Sequence, residues 1–388
     1  MPRFDAVPVE FTPERSVTKN LTRVFLDEPV WDVRRHNTDG RYVTEILPQL
    51  ARYEPQLQFV MERSKWVALR ENFKIVRLAA QRRLGRKPAF EDHVTCRLGV
   101  GELERSGADV VFSHRAFPVN AGSWPVIWQQ SVLDPVMQRS YGVSEAEIAE
   151  EVAVKGALFR RATQVHLSTE AEVRRLAGMF PEIAERFVAV PFFTPHASAC
   201  ARGELERQLE AKPVRLLFVG RQAWRKGLDL LLEAFTALPA AVRERAELTI
   251  ISNFEHGKVV EPQSERIRVI HSASRDEVLA EMKRSHLFVN VARFESYGLV
   301  FHEAMSQGLA CLAPDWEVQR ELFADGAAGM LLTPDAESIR EALAELIVDD
   351  AKRYALALAG WERFRERYAP EVVARRYAEL FRQAAKMR

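Results

Sequence analysis

The second half of this 388-residue chain alternates short apolar segments rich in β-branched residues with amphipathic segments, and this alternation constrains the fold more than any other feature. The apolar segments are residues 214–219, 246–252, 266–270, 287–291, 309–313 and 329–332. The amphipathic segments include residues 228–238, 275–284, 299–307 and 336–348. Strands that alternate with helices predict a parallel sheet covered by helices on both faces. Such a sheet binds its ligand at the carboxyl ends of its strands, so a functional site is expected there.

The first half follows the same pattern less regularly. Its predicted strands are residues 22–26, 108–113, 126–129, 164–168 and 186–192, and its predicted helices are 144–161 and 170–179, with another near 41–51. A polar, proline-punctuated stretch then precedes the second half. We therefore predict an N-terminal Rossmann-like domain at 1–195, a linker at 196–212, a C-terminal domain at 213–360 and a final crossover helix at 361–388.

Charge and cysteine usage exclude several classes of protein. The 55 basic and 54 acidic residues give a net charge of +1, so we expect no nucleic-acid partner. Cys96, Cys200 and Cys311 are far apart and form no CxxC pair, which is typical neither of a disulfide framework nor of a structural zinc site. The N-terminal residues form no apolar signal segment, and no apolar run is long enough to span a membrane. A cytoplasmic location is expected.

A basic loop follows the first strand of the second half. The strand ends at Gly220, and Arg221, Arg225 and Lys226 precede Gly227 and a helix. Cationic side chains beside free helix N–H groups form an anion site. The phosphate-binding pattern GxxxxGK[ST] is absent, and a solvated basic loop is an alternative reading of the same residues.

Two carboxylates follow the strand at residues 287–291. Glu295 lies in the loop and Glu303 about one turn into the next helix, while Gly298 and Gly308 suit the two ends of that helix. Carboxylates accept strong hydrogen bonds from vicinal hydroxyl groups, so this pair can bind a sugar or a ribose. A solvated helix face is the alternative interpretation.

Taken together, these residues resemble a family pattern. It runs GRxxxxKGxDxLL, later ExxGLxxxEAMxxG, and then an aspartate with an acidic residue six positions on. The chain has Gly220, Arg221, Lys226, Gly227, Asp229, Glu295, Gly298, Leu299, Glu303, Ala304, Met305, Gly308, Asp315 and Glu321 in this order and spacing. The second half thus resembles the retaining glycosyltransferases of glycosyltransferase family 4. The resemblance implies the GT-B fold, an α/β architecture in which two doubly wound Rossmann-like domains face each other across a cleft and the C-terminal helices pack back towards the N-terminal domain.

The same resemblance implies roles for individual residues. Arg221 and Lys226 would neutralise the diphosphate of a nucleotide-sugar as it leaves, and Glu295 would hold hydroxyls of the donor sugar; we expect these three to be catalytic. Glu303 would hold the ribose. The remaining donor-site residues are expected to act mainly through backbone groups: Gly220, Ile270, His271, Tyr297, Gly298 and Leu299. Because the chain has no DxD motif, we expect neither a metal requirement nor another cofactor.

The acceptor side departs from the pattern. Gly40 is a weak match to the usual glycine-rich loop, and Gln129 and Gln130 stand where a histidine is common. His114, at the end of the preceding strand, matches a family position and is a candidate acceptor contact or a satisfied loop histidine. Glu317 and Val318 stand where two glycines are frequent. An unusual acceptor half is therefore expected.

Residues 61–88 combine an apolar helical stripe with nine basic side chains, among them Arg63, Arg70 and Arg83. A basic amphipathic helix is typical of contact with an anionic membrane surface, which would make the protein peripheral on the inner face of a membrane. The alternative is a helix that covers the sheet and exposes a charged face.

The predicted function is hexose transfer from a nucleoside-diphosphate sugar to a carbohydrate or lipid-linked glycan acceptor, in polysaccharide or cell-envelope synthesis. The alternatives are a catalytically silent GT-B scaffold or regulatory subunit of a glycosyltransferase complex, and a sugar-nucleotide epimerase on the same fold. Four retained donor-site side chains argue against a scaffold.

Overall fold

The computed structural model describes residues 21–27, 46–61, 77, 80, 81, 83, 84, 90–114, 116–130, 133–140, 142–254 and 259–388. Gly40 and most of the basic segment 61–88 lie outside the described residues, so the predictions made for them stay predictions.

The first half contains eight described strands. They are β1 (Thr22–Asp27), β2 (Leu57–Met61), β3 (Thr95–Cys96), β4 (Val110–His114), β5 (Phe117–Pro118), β6 (Val126–Gln129), β7 (Gln164–Leu167) and β8 (Phe187–Ala189). In the described part of this half, one parallel sheet has the order β2-β1-β4-β6-β7-β8, and β3 pairs separately with β5. The sequence did not predict β2, β3 or β5.

The second half contains six described strands. They are β9 (Val214–Val219), β10 (Ala246–Ile251), β11 (Ile267–Ile270), β12 (Leu287–Val289), β13 (Ala310–Pro314) and β14 (Met330–Leu332). They form a parallel sheet of order β11-β10-β9-β12-β13-β14. Successive strands are added on one side of β9 as far as β11 and then on its other side from β12, so the strand order reverses between β9 and β12. This is where a doubly wound sheet opens a ligand crevice.

Helices connect these strands. In the first half they are α1 (Phe90–Val94), α2 (Val100–Ser106), α3 (Pro135–Ser140), α4 (Glu145–Phe159) and α5 (Glu170–Met179). In the second half they are α6 (Arg202–Glu210), α7 (Leu228–Thr236), α8 (Ala240–Arg243), α9 (Arg275–Met282), α10 (Leu299–Ser306), α11 (Glu317–Leu322), α12 (Ala336–Val348), α13 (Asp350–Arg363) and α14 (Pro370–Ala385). Short segments of 3₁₀ helix lie at Leu47–Arg52 and Pro181–Arg186.

The two-sided burial of the second sheet follows from the alternation of its side chains. Leu216 and Phe218 lie in the apolar cluster on one face, while Leu217 and Phe288 lie in the cluster on the other. Because successive strand residues point to opposite faces, continuous apolar strands bury both faces under helices. This is the doubly wound sheet that the sequence predicts.

The C-terminal helix returns to the first sheet. The chain leaves the second sheet through a π-helical turn at Phe364–Tyr368, and Pro370 then opens α14. Tyr377 and Phe381 of α14 are buried against Phe112 of β4, with ring centroids 6.5 and 5.7 Å apart. The prediction that the C-terminal helices pack back towards the first domain is confirmed.

The segment predicted as a linker, residues 196–212, contains helix α6. Leu205 of this helix is buried in the core of the second sheet and lies against Gly308, where an added Cβ would be 2.5 Å from a Leu205 methyl carbon. Part of the predicted linker is therefore attached to the second sheet by apolar packing. Because most residues of the segment are small or polar, its sequence did not indicate that Leu205 is buried.

Polar contacts join the two halves at helix α5. The carboxylate of Glu321, in α11, accepts hydrogen bonds from the backbone N–H groups of Glu170 and Ala171 at 2.9 and 2.7 Å. Arg175 of α5 also donates to Glu317 at 2.8 Å. A carboxylate at a helix N-terminus is stabilised by the helix dipole, so this contact favours the juxtaposition of the two halves.

No helix in the described part of the chain is both long and apolar enough to cross a membrane.

Replacing Phe381 with alanine is expected to lower the free energy of unfolding by about 3–5 kcal/mol, because it removes a buried aromatic ring between α14 and the first sheet. Chemical denaturation measures the change. Gln383→Ala on the exposed face of the same helix serves as the control and should change stability by less than about 0.5 kcal/mol. Equal effects of the two substitutions would contradict the packing of α14.

Candidate active site

Two loops meet at the carboxyl ends of β9 and β12, the adjacent strands at the reversal of the second sheet. The first loop, residues 220–227, leads into α7, and the second, residues 290–298, leads into α10. Gly227 has a φ of 75°, and a Cβ at this position would clash with the backbone carbonyl of Val291. Glycine at 227 is therefore required both by its backbone conformation and by the close approach of the two loops.

Arginines from each loop bind the other loop. Arg225 donates to the carbonyl of Phe294 at 2.8 Å. Arg293 donates to the carbonyl of Trp224 at 2.6 Å and forms a two-bond contact with Asp229 at 2.8 and 2.7 Å. Paired guanidinium–carboxylate bonds fix geometry as well as charge. Asp229, which the sequence assigned to the family pattern without a role, therefore holds the two loops together.

The centre of this arrangement is a contact between Lys226 and Glu295. The Lys226 ammonium group is bonded to Oε2 of Glu295, and the two side chains are only 13 and 8% exposed. Gly220 lies beside this pair, since a Cβ there would be 3.1 Å from Cγ of Lys226. Arg221 follows Gly220 and is exposed. Two predicted segments are thus brought together, one with Gly220 and Lys226 and the other with Glu295.

The start of α10 carries the next group of predicted residues. Gly298 is its N-cap with a φ of 87°, and Leu299 is its first residue, so their backbone N–H groups belong to the unpaired first turn of the helix. The Tyr297 ring is buried, with centroids 5.0 Å from Phe192 and 4.9 Å from His302. The Tyr297 side chain therefore anchors this loop in the aromatic core.

Glu303 lies one turn further along α10 and pairs with Arg275, the first residue of α9. Burial raises the pKa of Glu303 above its usual value, and the positive charge of Arg275 opposes that rise. Ile270 and His271 lie at the carboxyl end of the outer strand β11, and the His271 ring is exposed, 6.1 Å from Phe254. The Arg275–Glu303 contact links this outer loop to α10.

His114 belongs to the first sheet, at the carboxyl end of β4. Its Nδ1 is 2.8 Å from Oε1 of Gln129, which is paired with it in the sheet register. Burial lowers the pKa of His114 to about 4, against a smaller raising effect of the Gln129 hydrogen bond. His114 is therefore neutral at pH 7.

Sequence reasoning missed Arg275 and Arg293 as members of this site. Arg293 stands two residues before Glu295, but its partner Asp229 is 64 positions away in sequence. Arg275 reaches Glu303 across 28 positions. Only the strand order shows which of the many arginines lie next to these carboxylates.

Within the described ranges, no group of three or more His, Cys, Asp or Glu side chains is placed to hold a metal ion. The cationic groups of the loops that meet at the ends of β9 and β12 are lysine and arginine side chains, Arg221, Arg225, Lys226 and Arg293.

Comparison with known proteins places this site in context. Residues 204–361, which contain both loops and Glu303, match the family model described as glycosyl transferases group 1. A phosphatidyl-myo-inositol mannosyltransferase of Mycolicibacterium smegmatis is 28% identical over 172 residues, which cover 43% of this chain and 44% of that protein. A D-inositol 3-phosphate glycosyltransferase of Nocardioides is 24% identical, with 71% of this chain and 67% of that protein covered. The chain thus spans less than half of the first relative and about two thirds of the second.

Solved structures match over nearly the whole chain. Sucrose-phosphate synthase from Thermosynechococcus elongatus aligns with a TM-score of 0.64 at 16% identity, covering 94% of this chain and 98% of that one. Anabaena HepE, solved in complex with UDP and glucose, aligns with a TM-score of 0.60 at 15% identity, covering 93 and 99%. The GT-B fold predicted from the sequence is confirmed.

The environment of Glu303 generates a pH-dependent stability prediction. Folding raises the pKa of the Glu303 carboxyl group above its unfolded value of 4.5. The folded protein therefore loses stability as pH rises above 4.5, because the carboxyl group ionises more easily in the unfolded chain than in its buried site. The variant Glu303→Gln, which cannot ionise, should therefore melt at a higher temperature than the native protein at pH 7. The difference should shrink as pH falls towards 4. A difference independent of pH would contradict this assignment.

Proposed function

We propose that this chain is a retaining glycosyltransferase that moves a hexose from a nucleoside-diphosphate sugar to a carbohydrate or glycolipid acceptor. The observation that carries the proposal is the buried contact between Lys226 and Glu295 at the reversal of the second sheet. One side chain suits a phosphate and the other suits sugar hydroxyls, and both lie in the segment that matches the glycosyl transferase group 1 model.

Donor binding exchanges this internal contact for contacts with the ligand. The diphosphate takes the ammonium group of Lys226, with exposed Arg221 closing on it from the loop. The hydroxyl groups of the hexose take the carboxylate of Glu295. Each buried charge keeps a partner throughout, so the exchange avoids the large cost of a buried unpaired charge. Backbone N–H groups of Gly298 and Leu299, at the start of α10, supply further donors to the anion.

The nucleoside extends from this centre towards β11. Glu303 accepts hydrogen bonds from the ribose hydroxyls, and the base lies against the backbone of Ile270 and His271 at the end of β11. The HepE structure contains UDP and glucose, and the named substrates of the relatives are inositol derivatives; these support a nucleotide-sugar donor and a polar acceptor here.

In the transfer step, the bond between the anomeric carbon and the diphosphate oxygen breaks while the acceptor oxygen bonds to the same carbon on the same face. The acceptor proton passes to an oxygen of the departing diphosphate. Lys226 and Arg221 stabilise the negative charge that develops on that diphosphate, where a fixed cation acts most strongly. We further propose that no divalent metal is needed, because these two cations balance the diphosphate charge.

The acceptor binds on the side of the first sheet, where neutral His114 is a candidate contact. We propose a cytoplasmic protein, and an acceptor carried by a lipid would bring it to the inner membrane surface through residues 61–88.

Lys226→Ala is expected to lower kcat by about 10²–10³-fold, because it removes charge stabilisation that grows in the transition state. Glu303→Ala is expected to weaken nucleotide binding by about tenfold or more, the equivalent of one charge-assisted hydrogen bond. Thermal-shift screening with UDP-, GDP-, ADP- and dTDP-sugars identifies the donor, and release of the nucleoside diphosphate measures turnover. Lys212→Ala, which breaks an exposed pair with Asp350, is the control and should change neither quantity.

Two results would contradict the proposed function or the proposed residue roles. If no nucleotide-sugar stabilises or is turned over by the protein, the catalytically silent scaffold is the better reading. If Lys226→Ala and Glu303→Ala both keep activity within about twofold, the residue roles are wrong.

Treatment with EDTA followed by removal of the chelator should leave the rate of nucleoside diphosphate release unchanged, because Lys226 and Arg221 supply the positive charge. Restoring Mg²⁺ or Mn²⁺ should add less than about twofold. Activity that disappears with EDTA and returns with a divalent metal would contradict metal independence.

A further inference from the structure

Arg275 is fixed at the rim of the proposed nucleoside subsite. It is the first residue of α9, and the start of that helix is held by a capping box in which Ser274 and Glu277 bond each other's backbone N–H groups. Its guanidinium reaches Oε1 of Glu303. The arginine side chain is 45% exposed and the glutamate only 16%, so a half-exposed cation contacts a largely buried anion.

This contact gives the two oxygens of the Glu303 carboxylate different surroundings. Oε1 is the oxygen that Arg275 contacts, which leaves Oε2 as the acceptor for hydroxyl groups from the cleft. An ionised carboxylate accepts hydrogen bonds at both oxygens, whereas a protonated one becomes partly a donor. Without the arginine, the carboxylate would be both less fixed in orientation and more easily protonated in its buried position.

We propose that Arg275 is a positioning residue of the nucleoside subsite, whose guanidinium holds Oε1 of Glu303 so that Oε2 faces the ribose hydroxyls as an ionised acceptor. This inference rests on the proposed function, since it requires that Glu303 binds ribose. It adds Arg275, a residue that the family pattern given in the sequence analysis does not contain.

Neighbouring titratable groups do not supply the charge that Arg275 supplies. His302 precedes Glu303 on α10, and burial lowers its pKa to about 3, so it is neutral. Tyr368 of the π-helical turn stacks on His302 with centroids 4.5 Å apart, and burial raises its pKa. Cys311 of β13, in the same apolar cluster as α10, has its pKa raised by burial. None of these three groups is charged between about pH 5 and 8.

The chain offers a matched control in Arg268. This arginine lies on β11, is 55% exposed, and bonds to Glu281, whose side chain is 8% exposed. The pair resembles Arg275–Glu303 in exposure, with the difference that Glu281 also bonds Arg284. Glu281 lies on α9, in the part of the helix away from its N-terminus. Arg268→Gln thus reproduces the loss of a half-exposed arginine beside a buried glutamate outside the proposed subsite.

The experiment compares ribonucleotides with their 2′-deoxy counterparts. Dissociation constants of UDP, GDP and ADP, and of dUDP, dGDP and dADP, are measured by calorimetry for the native protein, Arg275→Gln, Arg275→Lys and Arg268→Gln. For the nucleotide that binds best, the native protein should prefer the ribose form by about tenfold, the equivalent of one hydrogen bond to a charged group. Arg275→Gln should reduce that preference to about threefold or less, and Arg268→Gln should keep it.

The pH dependence provides the second readout. Loss of the Arg275 charge raises the pKa of Glu303, so nucleotide binding by Arg275→Gln should weaken at a higher pH than binding by the native protein as pH falls. Arg275→Lys should restore the native pH dependence because it restores the cation. With an active donor, Arg275→Gln should raise KM and leave kcat within about twofold, since the ribose contact is the same in ground and transition states.

Each failure has its own meaning. If none of the three ribonucleotides binds the native protein, the proposed function fails, and the role of Arg275 falls with it. If the native protein binds but Arg275→Gln weakens the ribose and deoxyribose forms equally, with an unchanged pH dependence, the residue is merely structural and this inference is overturned while the proposed function stands. A native protein without ribose preference overturns it as well.

Discussion

The ion pair between Lys226 and Glu295 is the contact on which the rest of the site depends. Two charges can stay buried only if each has a partner in good geometry, and here the geometry requires that two loops from adjacent strands approach closely. Gly227 permits that approach, and Arg225 and Arg293 fix it by bonding to the opposite loop. The two loops are therefore held in place by contacts within the chain, and under the proposed function a donor replaces the one between Lys226 and Glu295.

The carboxylates of the second sheet share one arrangement but differ in purpose. Asp229 is held by Arg293 through two bonds and keeps the loops together. Glu295 and Glu303 are each held by a single cation, Lys226 and Arg275, and both belong to the proposed donor site. A carboxylate with one oxygen bound keeps its other oxygen as an acceptor, whereas one whose two oxygens share a guanidinium has fewer acceptor sites left. Asp229, with both oxygens held by Arg293, thus differs in its bonding from the two carboxylates that we propose to bind substrate.

The loop at residues 290–298 and the start of α10 are also packed against both crossings of the chain between the sheets. Tyr297 contacts Phe192, which precedes the first crossing, and His302 stacks on Tyr368, just before the second. Glu321 adds a polar contact by bonding the N-terminus of α5. Residues 297–302 therefore pack against both crossings, so a rotation of one sheet relative to the other would change their contacts. The packing around Gly298 therefore depends on how the two halves are placed relative to each other.

The sequence by itself determined the doubly wound second sheet and its strand and helix order, and it named Lys226, Glu295 and Glu303 as candidate site residues, because periodic burial and short motifs are local properties of a chain. It did not reveal β2, the apolar attachment of α6 through Leu205, or the partners Arg275 and Arg293. Those depend on strand order, which brings residues 28 and 64 positions apart into hydrogen-bond contact. A chain with 55 basic residues offers many candidate partners for each carboxylate, and only the tertiary structure selects among them. Motifs identify candidate ligand-binding side chains, while long-range packing decides which charged partners those side chains have and how they are oriented.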